Sequence, residues 1–351
     1  MTRFLRVACL PIAWLSALGA GAQEWIATEV RGGLLTFPAV VEGVETTAAL
    51  NTGAALDSID AAFAQRIGLT LSGRRQRVTS AYSASRSVAS ESQLEVELFG
   101  GKTVLHDTPA LHHPDTPLLL GAGFLERSVL QIDYPNSRMR ILPRTSRDLR
   151  KRDNVPMRAA AGSCQRRMNN LSPDMASGAN DFAREALPQR GDAGDDTPCL
   201  PTVQVEFQGG KKVWLLLETG GAGPIVVSRT IAEREGWLDA HRSGSAVGSD
   251  VFGTRVAVDL LVLPSAKIGP FELRDVPVAV PAEGERLFSG RESAGRVETG
   301  TNISRGARAN GRIGYDVLRH FVVSIDLKRE LMQIERPEKA SAESQGDSAN
   351  P

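Results

Sequence analysis

Hydrophobic and polar positions follow two patterns along this chain, and each pattern occurs twice. In the stretch 93–99, Leu94, Val96 and Leu98 alternate with Glu95 and Glu97, the period-two signature of a strand with one wet face. Gly100 and Gly101 turn the chain back into Val104 and Leu105. Upstream, the apolar stretch 34–44, with Gly43 as turn residue, predicts a hairpin feeding a strand that ends at Asn51. The second half rebuilds these units with Val203 and Val205, a Gly209-Gly210 turn, the apolar run 213–217, and an alternating Val256, Val258 and Leu260. Helical runs are short, at 60–68 and 229–236, and each closes on a glycine suited to the position just past a helix end. Strands dominate, which predicts an all-β fold.

The repetition extends to residue identity. Ala48-Ala49-Leu50-Asn51-Thr52-Gly53-Ala54 returns as Leu215-Leu216-Leu217-Glu218-Thr219-Gly220-Gly221. A second block, Leu118-Leu119-Leu120-Gly121 leading to Asp133, returns as Arg312-Ile313-Gly314 leading to Asp326, with the same spacing from glycine to aspartate. A unit this long repeated once describes two domains, because solenoid repeats recur every few tens of residues.

At these residues the chain resembles the aspartic peptidases of the retropepsin and pepsin type. Their motif is apolar-Asp-Thr-Gly-Ala/Ser, answered later by apolar-apolar-Gly before a short helix. The resemblance implies two pseudo-symmetric retropepsin-like lobes in one chain, each with a short helix after the motif loop. It implies a cleft between them built on Thr52, Gly53, Ala54, Thr219, Gly220, Gly221, Gly121 and Gly314, which would hold an extended peptide or protein segment. It places flaps over that cleft at 74–92, carrying Tyr82, and at 244–253, although a Ser-rich surface loop is the other reading of 74–92. Asn51 and Glu218 stand where the family carries its two catalytic aspartates.

That substitution decides the chemistry. Two close carboxylates cannot both ionise, so one serves as base and the other as acid. Asn51 does not titrate, and Glu218 carries its oxygens about 1.5 Å further out than an aspartate would. A misplacement of that order costs about a hundredfold in rate. One reading is that Asn51 and Glu218 hydrogen-bond each other and tie the loops together around a peptide-binding cleft, since amide donors suit a carboxylate. The other is a residual endopeptidase in which Glu218 activates a water polarised by Asn51.

Composition narrows the setting. Formal net charge is +0, which argues against nucleic acid or a membrane surface as partner. Residues 1–22 have the form of a secretory signal, with Arg3 and Arg6, a short apolar run and the small-residue site Ala20-Gly21-Ala22, predicting a periplasmic or secreted protein. Its removal leaves Cys164 and Cys199, which predicts a disulfide. The first lobe is expected at 26–143, an interlobe linker at 144–199, the second lobe at 200–336 with an insertion at 283–311, and a disordered tail at 337–351. Asp133 and Asp326 each precede a turn and are expected to cap it, and Asp57, Ser58 or Asp60 to cap the first helix. His106, Asp107, His112, His113 and Asp115 match no zinc-ligand spacing and read as a solvated loop, so no metal or cofactor is expected. With two lobes in one chain, a monomer is expected.

Overall fold

The computed structural model describes residues 24–337 except 32–33, 55, 80–84, 114–115, 126–128, 143–147, 160–199, 222, 250–254 and 286–308. Tyr82, Cys164, Cys199 and Asp115 lie outside the described residues, as do the expected signal segment and nearly all of the expected tail.

Each lobe is a closed ring of six strands. In the first, Leu34–Val41 pairs with Val44–Leu50, followed around the ring by Leu118–Leu120, Ser58–Asp60, Gly101–Leu111 and Ser90–Leu98. The ring closes where Val40 and Val41 pair with Glu97 and Val96. The second ring runs Pro201–Phe207, Lys211–Leu217, Gly311–Ile313, Ile225–Val227, Phe271–Pro281 and Arg255–Ile268, and closes through Val205 and Ile268. Strand for strand the order is the same, so the repeated sequence blocks occupy equivalent positions.

Local chemistry sets these elements. Glu42 and Gly43 both adopt positive φ, 49° and 75°, the two-residue hairpin turn whose twist matches its strands. In Ser90–Leu98 the residues Leu94, Val96 and Leu98 are buried while Glu95 is exposed, so the alternation resolves into a wet and a dry face. Asp60 caps the helix Ala61–Arg66 by accepting from the Phe63 N–H, and that helix buries Phe63 and Ala64 against the barrel. Its counterpart Arg229–Arg234 buries Ile231 and Ala232. Asp133 and Asp326 cap their turns, accepting from the N–H groups of Asn136 and Arg329.

A third sheet of five strands joins the lobes, in the order Ile26–Ala27, Arg138–Leu142, Val129–Asp133, Val322–Asp326 and Leu331–Glu335. At its centre Ile132 pairs with Val323. Within the segment expected as linker, residues 148–152 and 157–159 carry regular structure. Helix Asp148–Arg152 and strand Met157–Ala159 lead into the second lobe, where Met157 pairs with Val203. Leu149, Val155 and Met157 are buried, and the Asn154 side chain bonds both the N–H and the C=O of Ile334. These few apolar anchors are masked in sequence by the basic residues around them.

His113 also departs from the solvated-loop expectation. It is buried, its ring Nε2 lies 2.8 Å from Ser58 Oγ, and its backbone N–H donates to Asp60 Oδ1. His106, Asp107 and His112 are exposed, and no metal-ligand cluster forms among the described residues.

Candidate functional site

The two motif strands end side by side where the lobes meet. Beyond Val44–Leu50 the Asn51 N–H donates to Leu120 O at 2.9 Å, and beyond Lys211–Leu217 the Glu218 N–H donates to Ile313 O at 2.9 Å. Each loop then closes in the same way. The N–H of Ala54 reaches Asn51 O at 3.1 Å, and that of Gly221 reaches Glu218 O at 3.1 Å. Gly121 and Gly314 follow the answering strands, and the next residues fasten each loop from behind, Ala122 N–H to Ala54 O and Tyr315 N–H to Gly221 O, both at 2.8 Å.

Thr52 and Thr219 are fully buried and join the loops. The Thr219 N–H donates to Thr52 Oγ1 at 3.0 Å, and the Thr52 N–H donates to Thr219 Oγ1 at 3.2 Å. Each hydroxyl in turn donates to the opposite lobe, Thr52 to Leu217 O and Thr219 to Leu50 O. A hydroxyl can accept and donate at once, so threonine at both positions satisfies four backbone groups that would otherwise be buried unpaired. Tyr134 backs the crossing, with its phenol 3.4 Å from Thr219 O and its ring edge-on to Tyr315.

Close approach governs the glycines. A Cβ on Gly53 would lie 2.9 Å from Glu218 Cγ and 3.2 Å from Asn51 Oδ1, and one on Gly221 would lie 2.5 Å from Glu218 Oε2. Gly220 sits in turn against Leu50 O and the Asn51 side chain. The same contacts locate the side chains. The Glu218 stem crosses Gly53, and its carboxylate lies over the backbone of its own loop.

The structure thus brings Asn51 and Glu218 together around Gly53, but each side chain bonds within its own lobe. Asn51 Oδ1 accepts from the Gly53 N–H at 2.9 Å. Glu218 Oε2 accepts from Arg312 Nη1 at 2.9 Å, with both side chains mostly buried. No hydrogen bond joins the amide to the carboxylate, contrary to the sequence expectation. A guanidinium is the stronger partner, since its hydrogen bond carries full charge on both sides and an amide's does not.

Sequence reasoning passed over Arg312. It lies on Gly311–Ile313, in register with Leu216 and Val226. The equivalent first-lobe position, in register with Ala49 and Ser58, is Leu119. The signal was present in the repeat itself, since Arg312-Ile313-Gly314 carries a charge where Leu119-Leu120-Gly121 is apolar.

The segments expected as flaps are described in part. In the first lobe Gln76–Thr79 and Ser85–Val88 form a separate two-stranded ribbon. In the second, the strand Arg242–Ser249, exposed over 242–248, extends the barrel sheet beside Arg255–Ile268. A cavity of about 290 Å³, lined by Asp57, Phe99, Lys102, His106, Phe124 and Ile141 among others, draws no residue from the threonine-glycine loops.

Residues 203–317 match the family described as aspartyl protease. No curated protein sequence matches the chain. Among solved structures the chain is similar to a retropepsin-like aspartic protease from Rickettsia conorii, at 23% identity over 34% of this chain and 87% of that one, with a TM-score of 0.25. It is also similar to the retroviral protease-like domain of Ddi1 from Leishmania major, at 20% identity over 32% of this chain and 96% of that one, with a TM-score of 0.20. Residues 203–317 are thus similar to the aspartyl protease family, and the closed barrel and threonine-glycine loop of that lobe occur in the first lobe as well.

Proposed function

We propose that this protein is a periplasmic or secreted pseudopeptidase that holds an extended peptide or protein segment between its lobes without cleaving it. The observation that carries this reading is the separate engagement of the two side chains, Asn51 with Gly53 and Glu218 with Arg312. Peptide hydrolysis by a carboxylate pair needs one proton shared between two titrating groups. Here one group is an amide, and the other is held in an ion pair.

The pair suits recognition of an intact peptide bond. Asn51 keeps its Nδ2 donors for a ligand carbonyl, while Glu218 offers a carboxylate acceptor for an N–H. The strand Arg242–Ser249, exposed over 242–248, adds main-chain donors and acceptors of the kind extended peptides pair with.

Purified protein incubated with a diverse peptide mixture from pH 3 to 8 tests the reading. Retention of peptides with no new fragments is the expected result. Cleavage that disappears in Glu218→Ala would replace it with an active hydrolase.

A further inference from the structure

Comparison of the two lobes isolates one difference that the substituted pair alone does not explain. The answering strand is apolar at Leu119 in the first lobe and carries Arg312 at the equivalent register in the second. Val226, beside Arg312, belongs to a small apolar cluster with Val258 and Ala279, separate from the barrel core. Arg312 therefore sets a cation against an apolar face, and its guanidinium reaches the Glu218 carboxylate.

We propose that Arg312 is a positioning residue that holds the Glu218 carboxylate on the second lobe, so that it silences the site together with the substitutions at 51 and 218. The proposal rests on one part of the reading above, that the site does not cleave, and adds what keeps it so. An arginine stays charged at every working pH. The guanidinium occupies one carboxylate oxygen and holds it over its own loop, whereas a working pair needs both carboxylates free to face each other across a shared proton. Replacing Glu218 with aspartate draws the oxygens back by about 1.5 Å, a distance the long arginine side chain can follow. Restoring the two aspartates alone therefore leaves the pair opposed by Arg312.

The test compares Asn51→Asp/Glu218→Asp with the same double variant carrying Arg312→Leu, which copies the first lobe, or Arg312→Lys. Cleavage of a peptide mixture is followed from pH 3 to 7. The leucine variant is expected to cleave with an acidic optimum at least about 100-fold faster than the double variant. The lysine variant, which keeps the cation, is expected to stay as slow as the double variant. Should the leucine variant fail to fold, Arg312→Gln carries the same expectation. The proposal is overturned if the double variant cleaves within about threefold of the leucine variant, a gap too small for a general acid or base. It is equally overturned if the leucine variant, or glutamine in its place, folds and cleaves nothing. Peptide retention by the unaltered protein is scored in parallel. Its absence would sink the binding reading without bearing on Arg312, and its presence would not rescue Arg312 if the double variant proved active.

Discussion

Thr52 Oγ1 accepts from the Thr219 N–H while donating to Leu217 O, so one first-lobe hydroxyl satisfies two backbone groups of the second lobe. Replacing it leaves both groups buried without a partner, at roughly 1–3 kcal/mol each. Thr52→Ala should therefore lose about 2–6 kcal/mol, and Thr52→Ser should keep most of the stability. Urea unfolding midpoints decide the matter, and an alanine variant as stable as the original would refute it.

Acid should weaken the first lobe through His113. Burial, opposed by nearby Asp60 and assisted by His112, pushes this imidazole from its ordinary 6.5 down to about 4. Between those values the unfolded chain binds the proton and the folded chain does not, so stability falls as pH drops from about 6.5 to about 4 and levels off below. The full loss is of order 3 kcal/mol. His113→Gln should flatten that slope while leaving stability at pH 7.5 within reach of the original. Equal slopes in both proteins would assign the acid sensitivity elsewhere.

Asp259 sits at the base of the strand Arg242–Ser249, buried and bonded by Arg229 and Arg242. Its removal would leave two guanidinium groups facing each other, one of them also on Pro281 O and Glu233. Asp259→Ala should cost about 2–4 kcal/mol, below the figure for a fully buried pair because both arginines reach solvent. Hydrogen exchange should quicken across 242–249 before the rest of the lobe. Unchanged exchange there would show that the strand is held by its ladder alone.

For Cys164 and Cys199, which lie outside the described residues, we propose a disulfide on the sequence alone. Closing that loop stabilises by about 4 kcal/mol on loop-closure entropy. Thiol titration of protein taken from its native compartment should find neither sulfur free, and two free thiols would end the idea.

Much of the architecture was legible because it rests on short-range rules. Alternation at 94–98 names its buried face, the 42–43 turn declares a hairpin, and the spacing from Gly121 to Asp133 recurs from Gly314 to Asp326. What stayed hidden depends on partners far along the chain. The bond between Arg312 and Glu218 spans the second lobe, so a charge in an apolar motif drew no notice until the strands were in register. His113 looked wet among polar neighbours, and only the fold sets it against Ser58. Leu149, Val155 and Met157 lacked any periodicity because a helix, a bend and an edge strand share them.

The shared sheet also dictates the order in which the molecule can be completed. Gln131 bonds Ser324 across its centre, and these residues are 193 positions apart. A chain emerging from its N-terminus has Leu130, Ile132 and Met139 in place long before Val323 and Ile325 exist to cover that edge. Closing so long a loop is among the slow steps of folding. Until it closes, the early half presents an open row of backbone donors and acceptors that a second copy could pair with. A first lobe produced alone should therefore self-associate through Val129–Asp133, recreating between two molecules the seam that the intact chain makes within one.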